Sequence, residues 1–258
     1  MSGTPPRSDE TESGGDCGET LHAVVLAGGP GRRIPPYETL FPKALVPLGE
    51  KHAVIEVVLR QLQAQGFSHV TLAIGHLGSL VRAYCDDGSK WNLKIDYWWE
   101  DEPLGTMGPI VAHLDDVPEN FLVINGDVLT DLDCRKFLLE HAQSDAPISV
   151  ATSERTIALD FGLVELGGES DRSIVAFQEK PVRNITVSTG IYAVARETLR
   201  RYEPGTPLGF DELVLDLIER REFPRAVPFD GLWLDVGVTD EYQRANADWG
   251  ELGPRLLP

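Results

Sequence analysis

The run Ala23-Val-Val-Leu-Ala27 opens directly into Gly28-Gly-Pro-Gly31, and this junction limits the possible folds more than any other stretch of the chain. Unbroken apolar residues without alternation read as a strand buried on both faces, the condition of a parallel sheet. Glycines at the end of such a strand permit a tight turn and let backbone N–H groups approach a ligand closely. Arg33 and Lys43, in Phe41-Pro-Lys-Ala-Leu45, add two positive charges nearby. Strand, glycine loop, arginine and lysine together describe a site for a polyanion, most economically the triphosphate of a nucleotide. No Gly-Lys-Ser/Thr follows, so the loop is not a P-loop, and the glycine spacing does not fit the dinucleotide fingerprint.

Downstream periodicity supports an α/β fold. Ala53–Gln65 carries apolar residues at helical spacing and ends at Gly66, and Val70–Ile74 reads as a strand. Helices are predicted over Leu77–Tyr84, Thr106–Leu114 and Cys134–His141, with strands over Leu93–Trp99 and Phe121–Asn125. That alternation implies a mostly parallel, open, Rossmann-like sheet with right-handed crossovers. Ile148–Ser153, Gly162–Leu166, Ser173–Gln178 and Thr189–Val194 are strand-like with few helices between them, which predicts an antiparallel extension forming the far wall of a cleft. A helix over Phe210–Arg221, a short strand Trp233–Asp235 and a helix over Thr239–Trp249 complete the pattern. Ligands of open sheets bind beyond the carboxyl ends of the strands.

The expected organisation is a disordered acidic tail over 1–20, one domain over 21–250 and a short C-terminal tail over 251–258. The formal net charge of −18 argues against nucleic acid or an anionic membrane as partner. An acidic protein that binds phosphates must concentrate its cations at the site, and a divalent metal would offset the repulsion. Cys17, Cys85 and Cys134 are odd in number and widely spaced, so neither a disulfide framework nor a metal cluster is expected. With no apolar run of membrane length and no signal-peptide core, a cytoplasmic protein is expected. Assembly into a homo-oligomer is left open.

Three further groups carry chemistry. Asp127, in Asn125-Gly-Asp127, and Asp235, in Trp233-Leu-Asp235, each close an apolar strand. One such carboxylate is usually a cap or turn residue. Two of them, in a chain that already holds a phosphate loop, make a candidate Mg²⁺ site, because Mg²⁺ takes one or two carboxylates plus phosphate oxygens and water. Glu179-Lys-Pro181 follows a strand that Pro181 stops; its carboxylate suits sugar hydroxyls and its ammonium a monophosphate. Ser188-Thr-Gly-Ile-Tyr192 supplies a small-residue turn before a strand.

In motif order and spacing, Leu21 to about Ala247 resembles the sugar-1-phosphate nucleotidyltransferases, whose opening signature is Gly-Gly-x-Gly-x-Arg followed by Pro-Lys-Pro. Leu104-Gly-Thr-Met-Gly108, Asn125-Gly-Asp127, Glu179-Lys-Pro181 and Asp235-Val-Gly237 through Asp240-Glu-Tyr242 extend the likeness. It is greatest to mannose-1-phosphate guanylyltransferase-like members that lack a C-terminal β-helix, so a second, acyl-transfer activity is not expected. The resemblance implies the nucleotide-diphospho-sugar transferase fold, with the antiparallel extension binding sugar. It implies backbone contacts to base and phosphates from Leu26, Ala27, Gly28, Gly29 and Gly31, with Gly105 beside the nucleobase. It casts Arg33 as the catalytic arginine, Lys43 as a phosphate lysine, and Asp127 and Asp235 as Mg²⁺ ligands, Asp127 also serving catalysis. Gly162, Glu179, Lys180 and the Thr189 turn would hold the sugar phosphate. The implied reaction joins an NTP to a sugar 1-phosphate and releases pyrophosphate. Glu100 stands where thymidylyl relatives carry a base-reading Gln. A carboxylate accepts two hydrogen bonds and donates none, which suits the N1–H and amino group of guanine.

The chain departs from the family pattern at Arg32, Ala44, Met107 and Ser188-Thr189, the last leaving the sugar unassigned among hexose, heptose and cyclitol phosphates. Two other readings compete. A silent nucleotide-sugar-binding regulatory subunit would be expected to have lost Arg33, Lys43, Asp127 or Asp235. A metal-dependent glycosyltransferase would use Asp131-Leu-Asp133 and leave Lys43 and Glu179-Lys180 without a role.

Overall fold

A computed structural model describes residues 21–29, 41–168 and 172–257. The first half runs β1 (His22–Leu26), β2 (Pro47–Leu48), β3 (His52–Ala53), α1 (Val54–Ala64), β4 (His69–Ile74), α2 (Gly78–Cys85), β5 (Lys94–Trp99), α3 (Gly108–Ala112), β6 (Asn120–Asn125), β7 (Val128–Thr130) and α4 (Cys134–Ala142). The second half runs β8 (Ile148–Ala158), β9 (Leu163–Leu166), β10 (Ile174–Gln178), β11 (Val182–Ala195), α5 (Arg196–Leu199), α6 (Phe210–Glu219), β12 (Arg225–Pro228), β13 (Trp233–Asp235), α7 (Thr239–Ala247) and α8 (Trp249–Leu256).

Seven strands form the central sheet in the order β12-β8-β11-β6-β1-β4-β5. β1 pairs in parallel with β4 and β6, β4 with β5, and β12 with β8; β11 alone runs antiparallel, to both β6 and β8. The sheet is therefore mostly parallel, as the alternation of strands and helices implies. Its strands are apolar on both faces because both faces are covered. Ala23 and Val25 point into a core with Ile55, Leu59 and Leu62 of α1 and Phe137 and Leu138 of α4. Val24, one residue out of phase, points into a second core with Met107, Ile110, Leu213 and Leu217.

The antiparallel region differs from expectation. Ile148–Ser153 and Thr189–Val194 are not strands of a separate sheet. They are parts of two longer strands, β8 and β11, which start and end within the central sheet and run on beyond it as an arm. Only the β9–β10 hairpin is set apart. The arm is largely solvent-facing, with Phe161, Ile174, Val175 and Phe177 exposed. Ser188–Tyr192 is likewise not a turn before a strand but an irregularity within β11, where the register shifts against β8. Gly190 takes φ +79 there, with Asn125 packed against the side a Cβ would occupy.

A third core lies beyond the end of the sheet. Val46, Leu48, Val54, Leu129, Leu234, Val236, Ala245 and Leu256 pack together in it, drawn from segments far apart in sequence. The C-terminal stretch expected as a tail is mostly helix α8, with Leu256 fully buried. Leu252 and Leu256, one helical turn apart, bring it down onto this core, which outweighs its internal Gly and Pro residues. No helix among the described residues is long and apolar enough to cross a membrane.

Candidate active site

The glycine loop leaves the sheet in the middle. Leu26 pairs with Asn125, Ala27 donates its N–H to the Ala73 carbonyl (2.8 Å), and Gly126 donates to the Leu26 carbonyl (2.9 Å). Asn125-Gly-Asp127 therefore runs directly alongside Leu26-Ala27, and Gly126 is needed because a Cβ would lie 2.9 Å from the Leu26 oxygen. Gly28 and Gly29 continue the loop, whereas Gly31 and Arg33 lie outside the described residues.

Asp127 and Asp235 come together through a pairing that lies outside the central sheet. β13 pairs antiparallel with β7, setting Asp235 opposite Val128, and Val236 donates its N–H to the Asp127 carbonyl (3.0 Å). Lys43, in a short 3₁₀ turn just before β2, forms an ion pair with Asp127. Gly237 makes room for that pair: a Cβ there would overlap the Lys43 side-chain end and lie 2.6 Å from Asp127 Oδ2. Burial first, then the charge of Asp127, holds the Asp235 carboxyl above the usual carboxylate range, with Lys43 opposing the rise. Two oxygen donors that repel each other, partly neutralised by one ammonium, fit a hard divalent cation completed by phosphate oxygens and water. No cluster of three or more His, Cys, Asp or Glu side chains with metal-binding geometry occurs among the described residues.

Glu100 and Gly105, the residues expected beside the nucleobase, lie just after β5 and in the loop that follows it. Glu100 accepts a hydrogen bond from the Leu104 N–H through Oε1 (3.1 Å), and its Oε2 lies 2.6 Å from where a Cβ of Gly28 would stand. It thus borders the glycine loop and is only partly exposed; burial raises the pKa of its carboxyl. Gly105 has φ +77 and packs against the Leu208 carbonyl, so the loop is fixed against the segment leading into α6.

The residues expected to hold the sugar phosphate are differently placed. Gly162 lies under the Phe177 ring, close to Glu179, where a Cβ would be 2.6 Å from the ring. Glu179 and Lys180 are exposed, at the turn from β10 into β11, and Lys180 takes a left-handed φ of +40. Thr189 does not offer its side chain to a ligand: it is buried, and its hydroxyl donates to the Ala151 carbonyl (2.8 Å).

One further acidic neighbour has no role assigned from sequence. Glu241, in the first turn of α7, accepts the Asp235 N–H through Oε2 (3.1 Å) and is ion-paired through Oε1 with Arg155 (3.0 Å). The family-like run Asp240-Glu-Tyr242 marks the position, but its role depends on a helix start that spacing alone does not orient. Asp131 and Asp133, by contrast, are occupied structurally. Asp133 caps α4 by accepting from the Lys136 N–H (2.8 Å), and Asp131 accepts from the Leu232 N–H (2.7 Å) and pairs with Arg255. They do not form a free carboxylate pair of the glycosyltransferase kind.

Comparison with known proteins agrees with this geometry. A family model described as nucleotidyl transferase matches residues 22–251. The chain is 27% identical over 223 residues to the D-glycero-alpha-D-manno-heptose 1-phosphate guanylyltransferase of Campylobacter jejuni, covering 86% of this chain and 97% of that protein. It is 30% identical over 242 residues to the mannose-1-phosphate guanylyltransferase of Mycobacterium tuberculosis, covering 88% of this chain and 64% of the relative. Among solved structures, HddC from Yersinia pseudotuberculosis complexed with GMP-PN superposes with a TM-score of 0.68 at 22% identity, covering 89% of this chain and 99% of that one.

Proposed function

The chain belongs to the nucleotidyl transferase family, and from that premise we propose that it condenses GTP with a sugar 1-phosphate to give a GDP-sugar and pyrophosphate, with Mg²⁺ as the required metal. The observation that carries this reading is the convergence of Lys43, Asp127 and Asp235 from three distant segments, beside the glycine loop at the carboxyl end of β1 and β6.

An oxygen of the sugar phosphate attacks the α-phosphorus in line; the bond from that phosphorus to the bridging oxygen of the β-phosphate breaks, and pyrophosphate leaves. No general base is required, because the attacking oxygen is already ionised near neutral pH. The chain's task is positioning and charge neutralisation. Lys43 holds a phosphate with its ammonium while Asp127 keeps that ammonium in place. Lys180 receives the incoming monophosphate, and Glu179 a sugar hydroxyl. Arg33 neutralises charge on the transferring group. Asp127 and Asp235 would hold Mg²⁺, which supplies Lewis-acid neutralisation of the phosphate oxygens.

For the base, Glu100 supports guanine: it borders the glycine loop with acceptor capacity beyond its bond to Leu104. The names of the two relatives, both guanylyltransferases, point the same way. The sugar falls among mannose 1-phosphate and related hexose, heptose or cyclitol phosphates. The test is a matrix of GTP, ATP, UTP, CTP and dTTP against these phosphates with Mg²⁺, reading pyrophosphate. GTP is expected to give the highest kcat/KM. Higher values with UTP or dTTP would refute the base assignment, and no pyrophosphate from any pair would refute the reaction.

A further inference from the structure

Arg155 lies on the outward-running part of β8, three residues past Thr152, where β8 last pairs with β12. It touches two things at once. Its Nη2 donates to Glu241 Oε1 (3.0 Å), and the other oxygen of that carboxylate accepts the Asp235 N–H (3.1 Å). Its guanidinium carbon also stands 4.4 Å from the centre of the Trp233 ring. The Trp233 indole N–H donates to the Thr189 carbonyl (2.8 Å), and the Thr189 hydroxyl is bonded to Ala151 (2.8 Å). Trp233 and Asp235 are two apart on β13 and so share a face of that strand.

We propose that Arg155 is a positioning residue that fixes the phosphate-side aspartate Asp235 and the irregular stretch of β11 at Thr189, on the sugar side, relative to each other. This rests on the reading of the site as one for an NTP and a sugar 1-phosphate. The physical case comes from what each contact restrains. Glu241 anchors the backbone of β13 at Asp235, and the stacked indole anchors the same strand to β11 at its irregular stretch. A flat guanidinium serves both tasks, a charged hydrogen bond at its edge and stacking on its face, which an ammonium cannot do. Arg155 is only partly exposed, as is Glu241, so solvent screening is incomplete. Nothing in the family-like motifs marks Arg155; it lies between them in sequence.

The test compares the full-length protein with Arg155→Ala, Arg155→Lys, Glu241→Gln and Trp233→Phe. Each is measured for melting temperature, for KM of both substrates and kcat, and for Mg²⁺ binding by calorimetry without turnover. Arg155→Ala is expected to raise KM for the sugar 1-phosphate and weaken Mg²⁺ binding by about tenfold each, the range for loss of an outer partner of a ligand. KM for the nucleotide should change less than either. Trp233→Phe should reproduce only the sugar-phosphate effect and Glu241→Gln only the Mg²⁺ effect. Arg155→Lys should restore Mg²⁺ binding better than sugar-phosphate KM. If Arg155→Ala leaves both readouts unchanged, or changes all kinetic constants equally in step with a fall in melting temperature, the positioning role is wrong. Wild-type protein that releases no pyrophosphate would instead refute the reaction assigned above, and the calorimetric comparison would still decide the Arg155–Glu241 link.

Discussion

Replacing Gly237 by alanine separates the site from the fold more cleanly than any other single change. The backbone at Gly237 is not left-handed, so alanine brings no conformational strain. Its methyl group would, however, occupy the space of the Lys43 side-chain end and come 2.6 Å from Asp127 Oδ2. The obstructing group is the far end of a flexible side chain, so the ammonium swings away and the backbone stays. The stability lost is that of a partly buried ion pair whose ammonium can swing out to water, about 1 kcal/mol, or a few degrees in Tm. The catalytic loss is larger, because a preorganised charge facing the transferred phosphates is gone. By analogy with removal of one oxyanion donor, kcat should fall by about a hundredfold to a thousandfold. Gly105→Ala is the control. Gly105 has φ +77, and its Cβ would lie 2.7 Å from the Leu208 carbonyl oxygen, which is backbone and cannot step aside. That variant should lose several degrees in Tm as well as activity. Pyrophosphate release and thermal denaturation measured side by side decide the matter. Gly237→Ala with activity within threefold of wild type, or with a Tm loss equal to that of Gly105→Ala, would refute this account of the Lys43 pocket.

Three other outcomes are expected. Asp127→Ala and Asp235→Ala should each lower kcat by on the order of a thousandfold with the fold intact, and the double variant should be little worse than the poorer single one; near-normal pyrophosphate release by both singles at limiting Mg²⁺ would overturn the shared site. Glu100→Gln should shift kcat/KM from GTP toward UTP and dTTP, because an amide donates as well as accepts; and since burial raises the Glu100 carboxyl, GTP use in the wild type should weaken on the acid side before use of other nucleotides does. Folding stability should fall below about pH 6.5, because burial pushes His22 and His141 down to about 4. Both are neutral in the fold and take up protons first in the unfolded chain, so the stability they contribute is complete above the unfolded pKa and lost as pH falls toward the folded one. Together they amount to about 4 kcal/mol lost at pH 5 relative to pH 8. A urea titration series over that range checks it, and a His22→Asn, His141→Asn variant should flatten the slope.

Most of the sheet was legible because its strands are apolar without alternation and its helices keep a helical period. Asp127 was legible as a carboxylate ending such a strand, and its neighbourhood follows from the pairing of β6 with β1. How Asp235 reaches it was not, because the β7–β13 pairing rests on three-residue strands whose partners lie far apart in sequence. The C-terminal helix was hidden by Gly250, Gly253 and Pro254, although Trp249, Leu252 and Leu256 keep the spacing of one helix face. Arg155 looks like an ordinary surface charge in sequence, and the run Asp240-Glu-Tyr242 marks Glu241 without orienting it; only the fold sets one over Trp233 and the other under Asp235. The resemblance points to the stretch at Thr189, but sequence does not show that the Thr189 hydroxyl is already bonded to the neighbouring strand at Ala151.

The two long strands have a mechanical consequence. Because β8 and β11 are each rooted in the seven-stranded sheet and run out of it without a break, the sugar-side arm behaves as a cantilever rather than a hinged flap. There is no loop pair at its base to absorb a large rotation, so its compliance is the bending and twisting of a two-stranded ribbon. The soft point along it is the interrupted ladder between Ser188 and Tyr192, close to the root. On the proposed function, grip on the sugar phosphate is then set by stiffness at that point. A change there alters the position of Glu179 and Lys180 at the far end by leverage, without touching either residue.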